Sequence, residues 1–383
     1  MTKAVSDFDI AVIGGGMAGA SVAAELAGQA RVVLLEMEAQ PGYHTTGRSA
    51  ALFAPSYGPG PIRALTRASE AFFHAPPDGF CTNRLITPRG ILMVARADQL
   101  AALDALIAEV SAKSPVSRLD QAGVMALNPL LREGYAAAGM FDANGQDIDV
   151  AALHQGYLRR LRGTGGEVRT KAEVTGLSRQ GDFWRIATAD SDIRARIVVN
   201  AAGAWADQIG QLAGAERIGL VPKRRTAMMV AAPDGQGIDT LPITVDIDEA
   251  FYLKPDAGRL LLSPADETPS PPCDAQPEEM DIAICVDRVE TAFQLSVRRI
   301  ENKWAGLRSF VADKSPVAGY SGQVDGFFWL AGQGGYGIQT APALSRFAAA
   351  QILGAAVPQD ILDQGLDPVA LSPARLGQTG QTA

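Results

Sequence analysis

The chain has 383 residues, 47% hydrophobic and 20% charged, which suits about two cored domains at ~100–200 residues each and excludes a disordered chain or a coiled coil. With 34 Lys+Arg against 42 Asp+Glu the formal charge is −8, an argument against nucleic acid or an anionic membrane as partner. Cys81, Cys273 and Cys285 lack C-x-x-C spacing and there are only three histidines, so the expectation is a reducing, metal-free, cytoplasmic protein.

The apolar stretch 10–24 contains four glycines and follows Asp7 and Asp9, unlike a secretory leader. The uncharged run between Asp325 and Arg346 carries Pro342, two glutamines and five glycines, a poor membrane span, so no transmembrane segment is expected.

Taken in chain order, residues 9–13, a glycine turn, the alanine-rich 18–27 and the apolar 32–35 read as a βαβ unit with a right-handed crossover. Helical spacing recurs over 65–73 and 100–112, and Asp149 is placed to cap a helix running to Gly163. Strands are expected at 173–177, 183–187 and 196–200. Alternating runs between 221 and 262 point to an antiparallel sheet, hence a second domain. Residues 264–279, rich in proline and acids, read as an exposed loop. A strand at 327–330, a glycine turn at 332–337 and a helix at 341–353 repeat the logic of the N-terminus. The end, 372–383, reads as frayed.

Gly14, Gly16 and Gly19 form G-x-G-x-x-G between a strand and a helix, and Glu36 ends the second strand 22 positions after the first glycine. This is the dinucleotide signature. Gly14 permits the tight turn, Gly16 lets backbone approach a pyrophosphate on the helix N-terminus beside Met17 and Ala18, Gly19 permits close packing, and Glu36 can accept from ribose hydroxyls.

Other strings separate the possible dinucleotides. QPGYHTTGRSAA (40–51), VVNAAGAWAD (198–207) and GQGGYGIQT (332–340) resemble the D-amino-acid-oxidase family of FAD-dependent amine oxidoreductases, a group that includes glycine and sarcosine oxidases. DIDVAALHQGYLR (147–159), LVPKRRTA (220–227), FYLKPDAG (251–258) and WAGLRSFVAD (304–313) resemble its D-arginine dehydrogenase branch.

The resemblance implies an α/β fold: a discontinuous Rossmann-like FAD-binding domain (1–90, 145–215 and 306–371) and an α+β substrate domain on an antiparallel or mixed sheet (91–144 and 216–305). It implies non-covalent FAD, with Arg48, Ser49 and Ala50 against the flavin and pyrophosphate and Val174 near the adenine. Ala202, Gly203 and the turn Gly334, Gly335, Tyr336, Gly337 and Ile338 complete the cofactor site. Backbone amides of such a turn can stabilise negative charge on a reduced flavin.

The same resemblance places Arg225, Arg308, Tyr57 and Tyr252 around the carboxylate of an amino-acid substrate, a task suited to guanidinium forks and phenols. Lys223 and Arg224 read as solvated neighbours, and His44 as a packing residue. The implied reaction is oxidative deamination by hydride transfer from Cα to flavin N5, giving an imino acid, then a 2-oxo acid and ammonia. The electron acceptor stays open between oxygen and a quinone-like compound.

The side-chain pocket departs from the D-arginine branch. Ile91 stands where that branch has a glutamate, Leu52 and Phe53 replace a histidine and a tyrosine, and Ile243 and Val245 continue the apolar lining. Burying an unpaired cation there would cost several kcal/mol, so neutral, hydrophobic D-amino acids are the expected substrates. A glycine- or sarcosine-like oxidase of small or N-alkylated amino acids is the alternative, and a non-catalytic flavin-binding subunit the rival from another class. Residues 45–61, with Gly47, Gly58 and Gly60, read as a mobile lid.

Overall fold

The computed structural model describes residues 5–233 and 237–378. Its centre is the strand Val5–Ile13, whose alternating side chains serve two cores. Ile10 and Val12 join one cluster with the helices Met17–Leu26, Gly60–His74, Val150–Gly163 and Gly337–Ile352, while Ala11 and Ile13 join another on the opposite face. Each fully buried Val or Ile contributes roughly 1.5–3 kcal/mol.

Val5–Ile13 pairs in parallel with Val32–Leu35 on one side and Asp192–Asn200 on the other. The far edge of Asp192–Asn200 is shared. Its first half pairs antiparallel with Phe183–Thr188, and its last three residues pair in parallel with Phe327–Ala331. Glu167–Arg169, Val174–Gln180 and Val317–Tyr320 complete this sheet. The crossover logic read from the sequence therefore holds, and Phe327–Ala331 delivers its glycine turn to the same end as the first.

The second sheet has nine strands, and all of its pairings are antiparallel except Ile243–Asp246 against Ile91–Ala95. It is mixed, as expected of the fold class. Leu92 and Val94 face one core, whereas Ile91, Met93, Ile243 and Tyr252 face another, the side that holds the smaller cavity described below. Ile300–Phe310 lies along Val221–Ala231 over ten paired positions and runs through the expected domain break at 305/306. A small sheet of Leu52–Phe53, Gln146–Ile148 and Ile86–Pro88 lies apart from both.

Helix ends follow local chemistry. Asp149 caps Val150–Gly163, its Oδ1 accepting from the Ala152 N–H at 2.8 Å. Two expectations need correction. The segment 264–279 is not simply an exposed loop: Ala265 and Ala275 are buried, Thr268–Pro269 pairs with Val221–Ala231, and the Asp266 Oδ1 accepts from the Thr226 N–H at 2.6 Å. Nor is the end frayed from 372, because Arg375 pairs with Asp313 at 2.7 Å; residues 379–383 lie outside the described part.

One helix supplies a test of this packing. A Cβ on Gly156 would come within 2.4 Å of the Phe80 ring, whereas one on Gly163 in the last turn meets nothing within 4 Å. Gly156→Ala should lower stability by about 1–3 kcal/mol through overpacking. Gly163→Ala should raise it by about 0.4–1 kcal/mol by restricting the unfolded chain. Denaturant melts of the two variants check the opposite signs.

Candidate active site

Gly14 ends the first strand at φ 103 and donates to the Leu35 carbonyl at 2.8 Å. A Cβ on Gly19 would sit 1.8 Å from the Gly14 carbonyl oxygen, so the helix packs on the turn only because that position is bare. Glu36 is buried and accepts from the Gly15 N–H at 2.8 Å and the Glu38 N–H at 2.9 Å. Those bonds use about two of its four lone-pair sites. The Met17 N–H is taken by the Thr46 hydroxyl at 2.9 Å.

Beside this turn lies a cavity of about 970 Å³. Gly14, Gly16, Met17, Ala18, Glu36, Arg48, Ser49, Ala50, Val174, Ala202, Gly203, Gly334, Gly335, Gly337 and Ile338 all line it. Gly19 serves packing instead, and Tyr336 faces the neighbouring cavity. Glu36 and Val174 meet at one part of the wall, and the glycine turn from 332 supplies another. Gln333 presents a buried Nε2 donor with no partner among the described residues. A glycine turn, a buried acid and an unspent amide donor fit a dinucleotide carrying a flavin.

The second cavity, about 320 Å³, touches the first. Arg225, Arg308, Tyr252 and Gly335 line both, so they stand at the junction. Tyr57, Leu52, Ile91, Ile243 and Val245 line the smaller one. Apart from Phe53, the residues expected around the substrate all line this smaller cavity.

The junction is electrostatically unbalanced. Arg225 donates from Nε to the Asp266 carbonyl at 2.9 Å and lies 3.4 Å from Glu267, and burial together with Arg308 lowers its pKa. The Arg308 guanidinium makes no hydrogen bond or ion pair among the described residues. Burial works against its charge, but the phenols of Tyr252 and Tyr57 and the carboxylate of Glu249 outweigh that, and its pKa is raised. Arg308 lies over Gly335, where a Cβ would be 2.8 Å from Nη1. Two guanidiniums with free donors beside a cavity make an anion site.

Glu249 is the residue sequence reasoning missed. It adopts φ 54, rare for a residue with a side chain, lines the smaller cavity and accepts from the Tyr57 hydroxyl at 2.9 Å. Burial, then Glu249, raises the Tyr57 pKa well above the ordinary phenol value, and the same causes push Tyr336 up to about 12. Both phenols therefore stay protonated donors. The only sequence signal was its place two residues before the matched string FYLKPDAG.

Several expectations change on contact with the geometry. Phe53 does not face the smaller cavity: adjacent strand residues point to opposite sides, and it packs fully buried against Phe73. Arg224 is no solvated neighbour but a buried cation held by Glu278 and Asp281. Arg48 lines the larger cavity, yet its guanidinium binds the carbonyls of Ala275 and Ala305, each at 2.9 Å, and the Asp274 carboxylate. The expected lid is tied down. Gly47 closes a turn on the Gly42 carbonyl, Ala54 donates to Gln339, Ser56 donates to buried Asp142 at 2.6 Å, and Gly60 opens a helix. His44 packs against Trp205 and pairs with Glu38, as expected of a structural residue.

No group of three or more metal-ligating side chains and no helix long and apolar enough to cross a membrane occurs among the described residues. Among curated proteins, mouse mitochondrial dimethylglycine dehydrogenase is 26% identical over 261 residues, covering 63% of this chain. The chain spans only 30% of that protein's length. Among solved structures, glycine oxidase from Geobacillus kaustophilus superposes with a TM-score of 0.83 at 21% identity, covering 97% of this chain and 99% of its own. L-proline dehydrogenase from P. horikoshii gives 0.83 at 20% identity, covering 98% and 99%. The family described as FAD dependent oxidoreductase (DAO) matches residues 9–351, and with the glycine turn, the buried acid and the two-cavity fold in place, the chain belongs to that family.

Proposed function

We propose that the chain oxidises the carbon–nitrogen bond of an amino acid, small or N-alkylated, whose carboxylate is held between Arg225 and Arg308. The observation that carries this reading is the Arg308 guanidinium, turned to the junction of the two cavities without a protein acceptor. The similarity to a dimethylglycine dehydrogenase and a glycine oxidase favours a small or N-alkylated substrate.

FAD, which the glycine turn and Glu36 of the larger cavity would hold, would supply a two-electron acceptor for oxidation of C–N to C=N, and hydrolysis would then give an oxo acid and an amine. The chain supplies position. Arg308 and Arg225 draw the carboxylate to the junction, and the Tyr252 phenol donates to a remaining lone pair, while the Tyr57 hydroxyl is donated to Glu249. Glu249 adds one negative charge beside the two guanidiniums, which favours a substrate that brings a cationic or neutral amine with its carboxylate over a dianion. FAD is held without a covalent bond in this reading: none of the three cysteines lines either cavity, and the Nε2 of His44 is engaged by Glu38.

One observation favours a second reading, D-amino acids with neutral hydrophobic side chains. Ile91, Met93, Leu106, Met140, Ile243 and Val245 wall the smaller cavity, and an apolar side chain placed there gains roughly 1.5–3 kcal/mol. Anaerobic bleaching of the flavin across a panel decides between them. Reduction by sarcosine, N-methylated amino acids or glycine, with none by D-leucine, D-methionine or D-phenylalanine, is the expected result; the reverse pattern selects the second reading.

Arg308→Met should cost about 2–5 kcal/mol in kcat/KM, roughly 30-fold or more, with FAD content unchanged. Arg225→Met should do likewise and also free Asp266. Steady-state kinetics beside flavin absorbance checks this, and wild-type kinetics would remove that arginine from the site. Ile91→Glu puts a carboxylate into the apolar wall, the second in the smaller cavity beside Glu249, costly unless paired. It should raise the ratio of kcat/KM for D-arginine to that for D-leucine about tenfold or more, and an unchanged ratio in an FAD-replete variant would show that position 91 does not meet the substrate.

A further inference from the structure

His154 lies on Val150–Gly163, one turn past the Asp149 cap, and is buried with its Nε2 2.8 Å from the Gly15 carbonyl oxygen. A carbonyl can only accept, so Nε2 carries the proton. Burial lowers the ring's pKa, with the Gly15 bond opposing, so the ring is neutral at neutral pH. Its fit is close. A Cβ on Gly42 would come within 2.9 Å of the ring, and Gly42 in turn accepts from the Gly47 N–H. The ring is therefore wedged between the two backbone turns that bound the larger cavity.

We propose that His154 is a positioning residue that sets the dinucleotide-binding turn. In a trans peptide the C=O and the next N–H point opposite ways. Holding the Gly15 carbonyl toward His154 turns the Gly16 N–H away from the ring, and that N–H has no protein partner among the described residues. Gly16 lines the larger cavity. On the other side of Gly15, its own N–H is held by Glu36. Both peptide planes flanking Gly15 are thus fixed, by an acid from the second strand and an imidazole from a distant helix. A rotated Gly15–Gly16 peptide would instead aim carbonyl oxygen at a pyrophosphate, replacing attraction by repulsion.

The inference rests on the larger cavity taking a dinucleotide flavin, and the test keeps the two apart. The full chain stripped of flavin is titrated calorimetrically with FAD, ADP and riboflavin, as wild type and as His154→Leu, His154→Gln and His154→Asn. In the Leu variant, ADP and FAD affinity should fall about tenfold (about 1.4 kcal/mol) with riboflavin affinity unchanged. Gln reaches as far as Nε2 and should hold ADP affinity within threefold, whereas Asn is too short and should lose it. If the Leu variant aggregates, the Gln and Asn pair decides alone. Wild-type ADP affinity in the Asn or Leu variant, or equal losses for ADP and riboflavin, would overturn the role of His154. Failure of the wild-type chain itself to bind ADP or FAD would instead overturn the cofactor reading.

Discussion

Two like charges are buried side by side at the meeting point of two cavities, and the architecture around them exists to tolerate that. Arg225 and Arg308 stand on Val221–Ala231 and Ile300–Phe310, strands paired over ten positions, and the pairing sets Arg225 opposite Gly306 and Arg308 opposite Lys223. Register alone holds the guanidiniums near each other. Burial of one unpaired cation costs several kcal/mol and a neighbour of the same sign adds to it. Glu249, Glu267 and the Asp266 carbonyl offset part of this cost and leave a positive remainder. In the proposed function a ligand carboxylate completes the balance, so that recognition and folding meet in the same pair of strands.

The smaller cavity separates its tasks by position. Arg225, Arg308 and Tyr252 stand at the junction, Tyr57, Tyr336 and Glu249 line the smaller cavity alone, and the wall of Ile91, Met93, Met140 and Ile243 holds no polar side chain. The strand period produces this division. Ile91 and Met93 look into the cavity while Leu92 and Val94 fill the core behind them, so the wall is rigid because each strand is packed on both faces. Tight ties at Ala54, Ser56 and Ala50 extend that rigidity to the segment carrying Tyr57. The phenol is in place before a ligand arrives.

Much of this was legible in the residues. The βαβ start, the Asp149 cap and the strand before the second glycine turn were readable because each depends on local pattern, and Arg225, Arg308 and Tyr252, which line the smaller cavity, stand in long strings shared with a family. What escaped was decided by tertiary contact. Nothing around Glu249 signals a left-handed backbone, since the residue is not glycine, asparagine or aspartate. Beside Arg225 in sequence, Arg224 reads as a solvated neighbour, but the carboxylates of Glu278 and Asp281 claim it. The histidine at 154 sits on a helix whose periodicity reads only as packing. Phe53 was assigned with Leu52, although one step along a strand reverses the side faced.

The shared edge of Asp192–Asn200 also bears on how such a chain is made. Val5–Ile13 is synthesised well before its long parallel partner, which begins at Asp192, so that strand has one side unpaired until the intervening residues have been added. The second sheet is then assembled while the first still lacks Phe327–Ala331, the strand that fills the remaining edge and carries the last glycine turn into the larger cavity. Pairings this distant are slow to form and leave apolar edges exposed in the interim. The cavity wall is complete only once Phe327–Ala331 has paired with Asp192–Asn200, so the flavin site depends on a contact between segments more than a hundred residues apart.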